Sequence, residues 1–218
     1  MKILETKSLA IPDIHSIKFE RFLDDRGYFT EQFRMSDLKD IKIKSLEKIE
    51  FVQGNESYSK EGTIRGFHFQ WNPYMGKLVR TVSGHMVDLA LDIRKGSRTY
   101  GKIVGHSMPS SKEDRFNEWL WIPPGFAHGF MFPKESTIEY LCSGEYNKEC
   151  EAGICPFAGE IDWSLCDKEI KKMFINIFSK DLLISKKDLE APSLTEWEKD
   201  ERSNNFIYLD LKEKFLAE

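Results

Sequence analysis

The segment VDLALDIR, residues 87–94, alternates between large apolar side chains and charged or small ones near the middle of the chain. Val87, Leu89 and Leu91 are large and apolar, and Asp88 lies between the first two. Successive side chains of a β-strand point to opposite faces, so this period of two predicts a strand rather than a helix.

The segments on either side of this strand have the same character. Residues 24–27, DDRG, are typical of a hairpin connection, Ser83-Gly84 predicts the end of a strand, and Pro123-Pro124-Gly125 marks a turn. Many short antiparallel strands at this spacing indicate an all-β sandwich or barrel rather than a βαβ sheet. Besides 87–94, the predicted strands are 16–23, 27–33, 63–70, 77–82, 101–106, 118–122, 130–132 and 137–141.

The last quarter of the chain differs from the strand-rich part. Residues 164–185 contain a charged stretch followed by an apolar one, and they predict a short helix. The tail is highly charged, and it contains five apolar or aromatic residues that suit a packed C-terminal helix: Phe206, Tyr208, Leu209, Leu211 and Phe215. We therefore expect one barrel domain over residues 1–192 and a charged C-terminal appendage over 193–218.

The composition limits the possible partners. The chain has 218 residues, of which 40% are hydrophobic and 13% aromatic, with a net charge of −4 and a pI of about 5.8. No Lys- and Arg-rich run is present, so nucleic acid is not an expected partner. The N-terminal residues have no long apolar core and no small-residue cleavage site, so we expect no signal peptide. No stretch approaches about 20 apolar residues, so we expect no membrane association and a cytoplasmic location.

The segment IRGFHFQ, residues 64–70, raises a question because a predicted strand contains a cation and a histidine at its centre. In a regular strand Arg65 and His68 point to opposite faces and do not share a pocket. Gly66 lies between them and permits a β-bulge that would redirect one side chain. The segment therefore predicts either a bulge or two separate roles.

Other side chains of reactive type are weak signals when each is taken alone. If strands 63–70 and 77–82 pair as a hairpin, Lys77 lies close to His68, where it can hold a phosphate or polarise a ketone. A single lysine or aspartate is more commonly a solvated surface residue, and a buried tyrosine is more commonly structural. Further candidates are His128 in PPGFAHGF, Tyr140 and Tyr146 in IEYLCSGEY, and Asp188 in ISKKDLEAP.

A metal site is not favoured by these patterns. Small metal-binding barrels commonly present His-x-His, and here Gln70 occupies the second ligand position after His68. The four cysteines have irregular spacing without a CxxC pair, which disfavours zinc, and we expect them to be reduced. These patterns predict no metal site, although a site of two histidines and a carboxylate or of three histidines, as in a metal-dependent cupin enzyme, stays open at this point.

Seven stretches taken together resemble one family, the dTDP-4-dehydrorhamnose 3,5-epimerases, which act on nucleotide-linked 4-keto-6-deoxy sugars. The resemblance covers roughly residues 18–163 and returns at 184–194. It implies a cupin-like jelly-roll β-barrel, a homodimer, a nucleotide-diphosphate sugar as substrate, and no cofactor. The stretches, in chain order, are FLDDRGYFTEQF, FVQGNESYS, GTIRGFHFQ, GKLVRTVSG, DLALDIRKGSRTYGK, WIPPGFAHGF and YLCSGEY.

The resemblance also implies roles for individual residues. His68 is similar to the catalytic base, Asp188 to its orienting partner, and Tyr140 to the acid across the sugar ring. Lys77 is similar to the cation near the C4 oxygen. Such a set suits epimerisation, in which a base, an acid and a positive group serve an enolate intermediate. The substrate-binding residues that the resemblance implies are Arg26, Phe29, Glu31, Gln53, Asn55, Arg65, His128 and Tyr146, with the first three reaching the nucleotide from a neighbouring subunit.

Three questions stay open at this point. Asp181 in FSKD is a rival to Asp188, because the segment after Trp163 is longer than is usual in the family. An epimerase that inverts only C3 or only C5 of another nucleotide sugar would have much the same sequence. A barrel that binds a sugar nucleotide without catalysis is a third possibility, and His68, Lys77 and Tyr140 argue against it.

Overall fold

The computed structural model describes residues 1–179 and 182–216. Within these residues, ten strands form one antiparallel sheet with the order β1-β2-β9-β7-β10-β6-β12, and β5, β8 and β11 attach to it through β7 and β11. Two further strands, β3 and β4, form a separate hairpin. The strands are β1 Ile3–Ser8, β2 His15–Glu20, β3 Phe22–Asp24, β4 Gly27–Phe29, β5 Gln53–Ser59, β6 Ile64–Gln70, β7 Lys77–Asp92, β8 Ile103–Ser110, β9 Phe116–Ile122, β10 Phe126–Met131, β11 Ser136–Cys142 and β12 Glu151–Gly153.

Short helices cover the outside of the sheet and dominate the C-terminal quarter. The predicted helix over 164–185 is present but shorter, as Lys168–Phe178 (α3), and the predicted C-terminal helix is Tyr208–Leu216 (α6). Leu211 of α6 is buried as expected, but Leu209 is 70% exposed, and Phe206 packs from the 3₁₀ turn before the helix. The prediction of an all-β, cupin-like jelly-roll barrel with a short helical C-terminal segment is confirmed. The helices are α1 Met35–Asp40, α2 Lys44–Glu47, α3 Lys168–Phe178, α4 Lys186–Leu189, α5 Leu194–Lys199 and α6 Tyr208–Leu216, with 3₁₀ turns at Lys148–Cys150 and Glu201–Phe206.

Strand β7 is the centre of the barrel and explains the alternation seen at residues 87–94. Val87, Leu89 and Leu91 pack on one face of the sheet against the C-terminal helices. Met86 and Ala90 point to the opposite face, into the barrel interior. Both faces are therefore buried, and along its two edges β7 pairs with β8, β9, β10 and β11.

The predicted strand end at Ser83-Gly84 is wrong, because β7 continues through it. The register with β11 shifts at this point, because Thr137 pairs with Ser83 while Ile138 pairs with Thr81. The Ser83-Gly84 segment therefore adjoins an irregularity inside a continuous strand. Gly84 has a φ of +95°, and a Cβ there would lie 2.2 Å from the carbonyl oxygen of Glu135. A glycine at a strand position can mark a bulge as well as a turn.

The expected pairing of β6 with β7 as a hairpin is also wrong. Strand β10 lies between them and pairs with both. The hairpin predicted around residues 24–27 is confirmed as β3 and β4. It forms a small sheet of its own, and Phe29, which lies opposite Phe22 at the end of the hairpin away from the turn, is 69% exposed.

The C-terminal segment packs against the outer face of β6. The ring of Phe69 lies 4.8 Å from that of Trp197 and 5.3 Å from that of Phe206, measured between centroids. Burying aromatic side chains of this size contributes about 1.5–3 kcal/mol each. Since neighbouring residues of a strand face opposite ways, this contact directs His68 toward the barrel interior. The division into a 1–192 domain and a 193–218 appendage stays a prediction.

Crossing a bilayer takes about 20 apolar residues in one helix. Within the described part of the chain, no helix meets that requirement.

Candidate active site

An open cleft of about 530 Å³ lies at one end of the barrel. Strands β6, β10 and β11 form its floor, and the segment that runs into α4 forms its rim. A second cavity of about 340 Å³ is lined by three of the same residues, His68, Lys77 and Tyr140. Three of the four predicted catalytic residues therefore lie where the two cavities meet, and the fourth, Asp188, lines the first.

His68 and Asp188 form a hydrogen-bonded pair in this cleft. The distance from His68 Nε2 to Asp188 Oδ1 is 2.7 Å, although 120 residues separate them in the chain. Asp188 Oδ2 accepts a further hydrogen bond from the Gly66 N–H at 3.3 Å. Burial acts to raise the pKa of Asp188, but these hydrogen bonds and the His68 charge outweigh it and hold the pKa below its ordinary value. The carboxylate therefore stays ionised beside the imidazole.

A β-bulge at Gly66 resolves the question raised by IRGFHFQ. Strand β10 pairs His128 with His68 and Phe130 with Arg65, so β6 carries one residue more than β10 over this interval. Gly66 has a φ of +106°, and a Cβ there would lie 2.6 Å from the Gly129 Cα. The bulge turns Arg65 toward the cleft, so Arg65 and His68 line the same cavity. Arg65 is held by hydrogen bonds to the Ser59 hydroxyl and the Tyr58 carbonyl.

A second histidine–carboxylate pair lies on the neighbouring strands. His128 Nε2 is 2.7 Å from Asp88 Oδ2, and both side chains are almost completely buried. Burial lowers the pKa of His128, with Asp88 opposing the shift and the charges of Lys77 and His68 adding to it. Among the described residues, neither His128 Nδ1 nor Asp88 Oδ1 has a hydrogen-bond partner. His128 lines the cleft from beneath.

Lys77 and Tyr140 complete the central part of the site. Burial lowers the pKa of Lys77, and the charges of Cys142, Asp88 and Glu151 partly offset that effect. Burial also raises the pKa of Tyr140, so the phenol keeps its proton at neutral pH. The ammonium group can donate to an oxygen anion, and the phenol can deliver a proton.

The second cavity has a polar wall that includes the predicted substrate-binding residues Gln53, Asn55 and Tyr146. Gln53 donates to Asn55 at 3.1 Å and accepts from the Tyr146 backbone N–H at 2.8 Å. The Tyr146 hydroxyl donates to Glu151 at 2.6 Å. These groups form one connected hydrogen-bonded wall of the second cavity, in which Asn55 lies beside Tyr140 on the neighbouring strand.

The structure does not bring every predicted site residue into this cleft. Arg26 lies in the β3–β4 hairpin, where it pairs with Asp24. Phe29 is exposed at the end of that hairpin, and Glu31 pairs with Arg34 and the N-terminal amino group. None of the three belongs to the residues that line either cavity. Asp181, the rival partner for His68, lies outside the described residues.

Three charged residues of the site were missed by sequence reasoning. The alternating pattern indicates only a polar strand position for Asp88, although an acid inside a long apolar strand is itself a signal of a buried partner. Glu151 and Lys187 form an ion pair at 2.5 Å beside the cleft. Nothing in their local sequence indicated this contact, since 36 residues separate them.

The site combines a base held by a carboxylate, a buried ammonium group and a protonated phenol around one cleft. This set can remove a proton next to a ketone, stabilise the resulting enolate and return a proton. Within residues 1–179 and 182–216, no cluster of three His, Cys, Asp or Glu side chains is arranged to hold a metal ion.

The chain is similar to a well-defined set of proteins. The sequence model of the dTDP-4-dehydrorhamnose 3,5-epimerase family matches residues 8–196. The chain is 41% identical to that enzyme from Neisseria gonorrhoeae over 69% of its own length, spanning 43% of that longer protein. It is 39% identical to the enzyme from Sinorhizobium fredii, with 87% of this chain and 89% of the relative covered.

A solved structure agrees with this similarity. The dTDP-6-deoxy-D-glucose-3,5-epimerase of Legionella pneumophila, in complex with dTDP-4-keto-L-rhamnose, superposes with a TM-score of 0.75 at 30% identity. The alignment covers 93% of this chain and 97% of that one. By sequence and by structure, the chain belongs to the dTDP-4-dehydrorhamnose 3,5-epimerase family.

Proposed function

We propose that this chain epimerises a dTDP-linked 4-keto-6-deoxyhexose at C3 and C5, in deoxysugar biosynthesis of the rhamnose type. One observation carries the proposal: the His68–Asp188 pair opens onto the cleft that Lys77 and Tyr140 also line. Family membership supplies the class of substrate. The same family membership supports dTDP as the nucleotide part of the substrate.

The first step is proton removal by His68. A ketone at C4 acidifies the C–H bonds at C3 and C5, so a neutral imidazole is a strong enough base in a shielded site. His68 Nε2–H donates to Asp188, which leaves the Nδ1 lone pair to take the proton. Asp188 holds the ring in that tautomer and stabilises the imidazolium that forms.

Lys77 and Tyr140 act on the enolate. The negative charge develops on the C4 oxygen, where the poorly hydrated Lys77 ammonium donates a hydrogen bond. Tyr140 then delivers its proton to the opposite face of the carbon, and this inverts the centre. The raised pKa of Tyr140, caused by burial, keeps the phenol protonated for this role. No step in this sequence requires a metal or a redox cofactor.

We also propose that the active species is a homodimer in which the β3–β4 hairpin completes the neighbour's nucleotide site. Arg26, Phe29 and Glu31 do not line the cleft of their own chain. Phe29 and Phe22 on this hairpin are 69% and 48% exposed, which is unusual for two large apolar side chains on one short ribbon. Arg65 of the cleft and Arg26 of the partner would then face the diphosphate.

A mixing experiment tests the shared site. Equal amounts of the His68→Asn and Arg26→Ala chains, exchanged as subunits, should recover about a quarter of wild-type activity, because half of the dimers then carry one intact site. Neither variant alone should be active at that level. A fully active monomer in analytical ultracentrifugation contradicts the proposal.

The reaction itself is tested by proton NMR in heavy water with a dTDP-linked 4-keto-6-deoxyhexose. We expect deuterium at both C3 and C5 and a product inverted at both centres, at a rate that EDTA does not change. Deuterium exchange at only one of the two carbons would identify the chain as a single-centre epimerase. Binding without exchange at either carbon contradicts the proposal and favours a non-catalytic sugar-nucleotide-binding barrel.

A further inference from the structure

Glu151 holds two groups of the cleft at once. It begins β12, which pairs with β6 so that Gly153 lies opposite His68 and Glu151 opposite Gln70. Glu151 therefore lies on the same side of the sheet as His68. Its Oε1 accepts from Lys187 Nζ at 2.5 Å and its Oε2 from the Tyr146 hydroxyl at 2.6 Å. The side chain is only 11% exposed.

Helix α4 has few other contacts that could hold it in place. It is a single turn, and Asp188 is the one buried residue among its four. Leu189, its one large apolar residue, is 52% exposed. Burial of apolar surface therefore contributes little to its position, and polar contacts from Lys187 and Asp188 must do so.

The segment is fastened to the barrel at both of its ends. Leu183 exchanges backbone hydrogen bonds with Gly62 and Ile64, and the Pro192 carbonyl accepts from the Cys155 N–H. Between these ends, the Lys187–Glu151 ion pair lies one residue from Asp188. A shift of α4 by about 1 Å would lengthen the 2.7 Å bond between Asp188 and His68 beyond good geometry.

We propose that Glu151 is a positioning residue for the epimerisation: through Lys187 it fixes α4, and thereby sets Asp188 against His68. This inference rests on the proposed function for its catalytic consequence, but the arrangement it describes exists in the free enzyme. Through its second oxygen, Glu151 also accepts a hydrogen bond from Tyr146. One carboxylate therefore holds both α4 and Tyr146 in position.

The charge state of Glu151 suits this role. Burial acts to raise its pKa, but the hydrogen bonds from Lys187 and Tyr146 and the charges of Lys187 and His68 outweigh burial and lower it. Glu151 is therefore ionised over the working range, and the ion pair with Lys187 persists.

The decisive readout is the His68 imidazole N–H proton, observed by NMR on 15N-histidine-labelled free enzyme and assigned by its loss in His68→Asn. We expect Glu151→Gln and Lys187→Met each to shift or broaden this resonance. Glu149→Gln, at an exposed glutamate two residues away, is the matched control and should leave it unchanged. Because no turnover is involved, the result holds whether or not the chain is an epimerase.

Kinetics then separates positioning from binding. Glu151→Gln and Lys187→Met should each slow solvent deuterium exchange about tenfold, as is usual for supporting contacts, while dTDP affinity changes less than threefold. The double variant should be no slower than the worse single variant, because both changes break one contact. Glu151→Asp keeps the charge and should restore part of the rate.

Three outcomes overturn the inference. The first is an unchanged His68 resonance in Glu151→Gln. The second is a double variant in which the two effects multiply. The third is a tenfold loss of dTDP affinity in Lys187→Met with normal exchange, which would make Lys187 a ligand for the diphosphate instead. If Glu151→Gln does not fold, Lys187→Met at a largely exposed side chain breaks the same ion pair.

Discussion

Two histidine–carboxylate pairs lie side by side in this barrel, and their hydrogen bonds have the same length. His68 and His128 are directly opposite each other on β6 and β10. Each places Nε2 at 2.7 Å from a carboxylate oxygen, of Asp188 and Asp88 respectively. Pair geometry alone therefore does not distinguish a base from a structural histidine.

The surroundings of the two pairs differ. The side chain of His68 is 33% exposed and that of His128 is 2% exposed. Burial lowers the pKa of His128 and favours its neutral form, whereas hydrogen bonds lower the pKa of Asp188 and keep a full negative charge beside His68. A base must both reach the substrate and become charged, and only the first pair meets both conditions.

Replacement of the two histidines should give the largest contrast. His68→Asn removes the base, so solvent deuterium exchange should fall by about 10³-fold or more. His128→Gln keeps a polar side chain toward Asp88, and exchange should stay within about tenfold of wild type. Exchange rates from NMR in heavy water measure both. Equal losses in the two variants would mean that burial does not separate the pairs.

Neutralising the carboxylate of each pair in turn tests the same contrast between the two histidines. Asp188→Asn should slow exchange about 10²-fold, because the amide can impose the wrong tautomer on His68 and cannot stabilise its charged form. Asp88→Asn should have a much smaller effect, since burial lowers the pKa of His128 and disfavours its charged form. dTDP affinity, measured by calorimetry, should be nearly normal in both.

The control for this prediction is Asp181→Asn, at the rival position in the sequence. It should exchange at the wild-type rate. A large loss in Asp181→Asn together with a normal rate in Asp188→Asn would assign the partner of His68 differently.

The Tyr140→Phe variant tests whether either histidine–carboxylate pair can return the proton to the substrate carbon in place of Tyr140. The change removes one phenol oxygen and leaves His68 able to abstract. Deuterium should therefore still enter the sugar at a rate within several-fold of wild type, while inverted product forms about 10²-fold more slowly. Both quantities come from one NMR time course. Inversion at the wild-type rate would mean that another group that lines the cleft, such as His128, is the acid.

The smallest expected effect is on stability as a function of pH. His128 has a lowered pKa in the folded protein, so the unfolded chain binds more protons below about pH 6.5, and stability should fall as the pH drops from 6.5. His15 and His85, also lowered by burial, contribute in the same direction. The carboxylate of Asp188 has its pKa lowered instead, so its contribution is lost only at more acidic pH, below about 4.

Thermal unfolding between pH 7.5 and 5 measures this dependence. His128→Gln should flatten it by up to about 1.4 kcal/mol per pH unit, the value for one proton. Asp188→Asn should leave the slope between pH 5 and 7 as it is in the wild type. The opposite pattern would assign the acid sensitivity to the pair in the cleft.

The strands that bury apolar side chains were the predictable part of this molecule. Residues 87–92 alternate and lie in β7, and residues 64–70, rich in aromatic side chains, form β6. Strand β5, Gln53–Ser59, was not predicted from its own pattern, because the face that it turns to the second cavity is polar. A strand whose cleft-facing side chains are polar lacks the alternation of apolar and polar residues by which strands are predicted. Hydrophobic patterns therefore do not predict such a strand where it lines the site.

By itself, the sequence determined the fold class, the reactive residue types and, through seven ordered motifs, the family. Only the tertiary structure decided which partners those residues take. Asp188 meets His68, and Glu151 meets Lys187, across 120 and 36 residues. The physical reason is the separation along the chain over which each interaction acts. Strand periodicity is set by neighbouring residues, so the sequence shows it directly. A charge pair depends instead on how distant segments pack together and how much water they exclude.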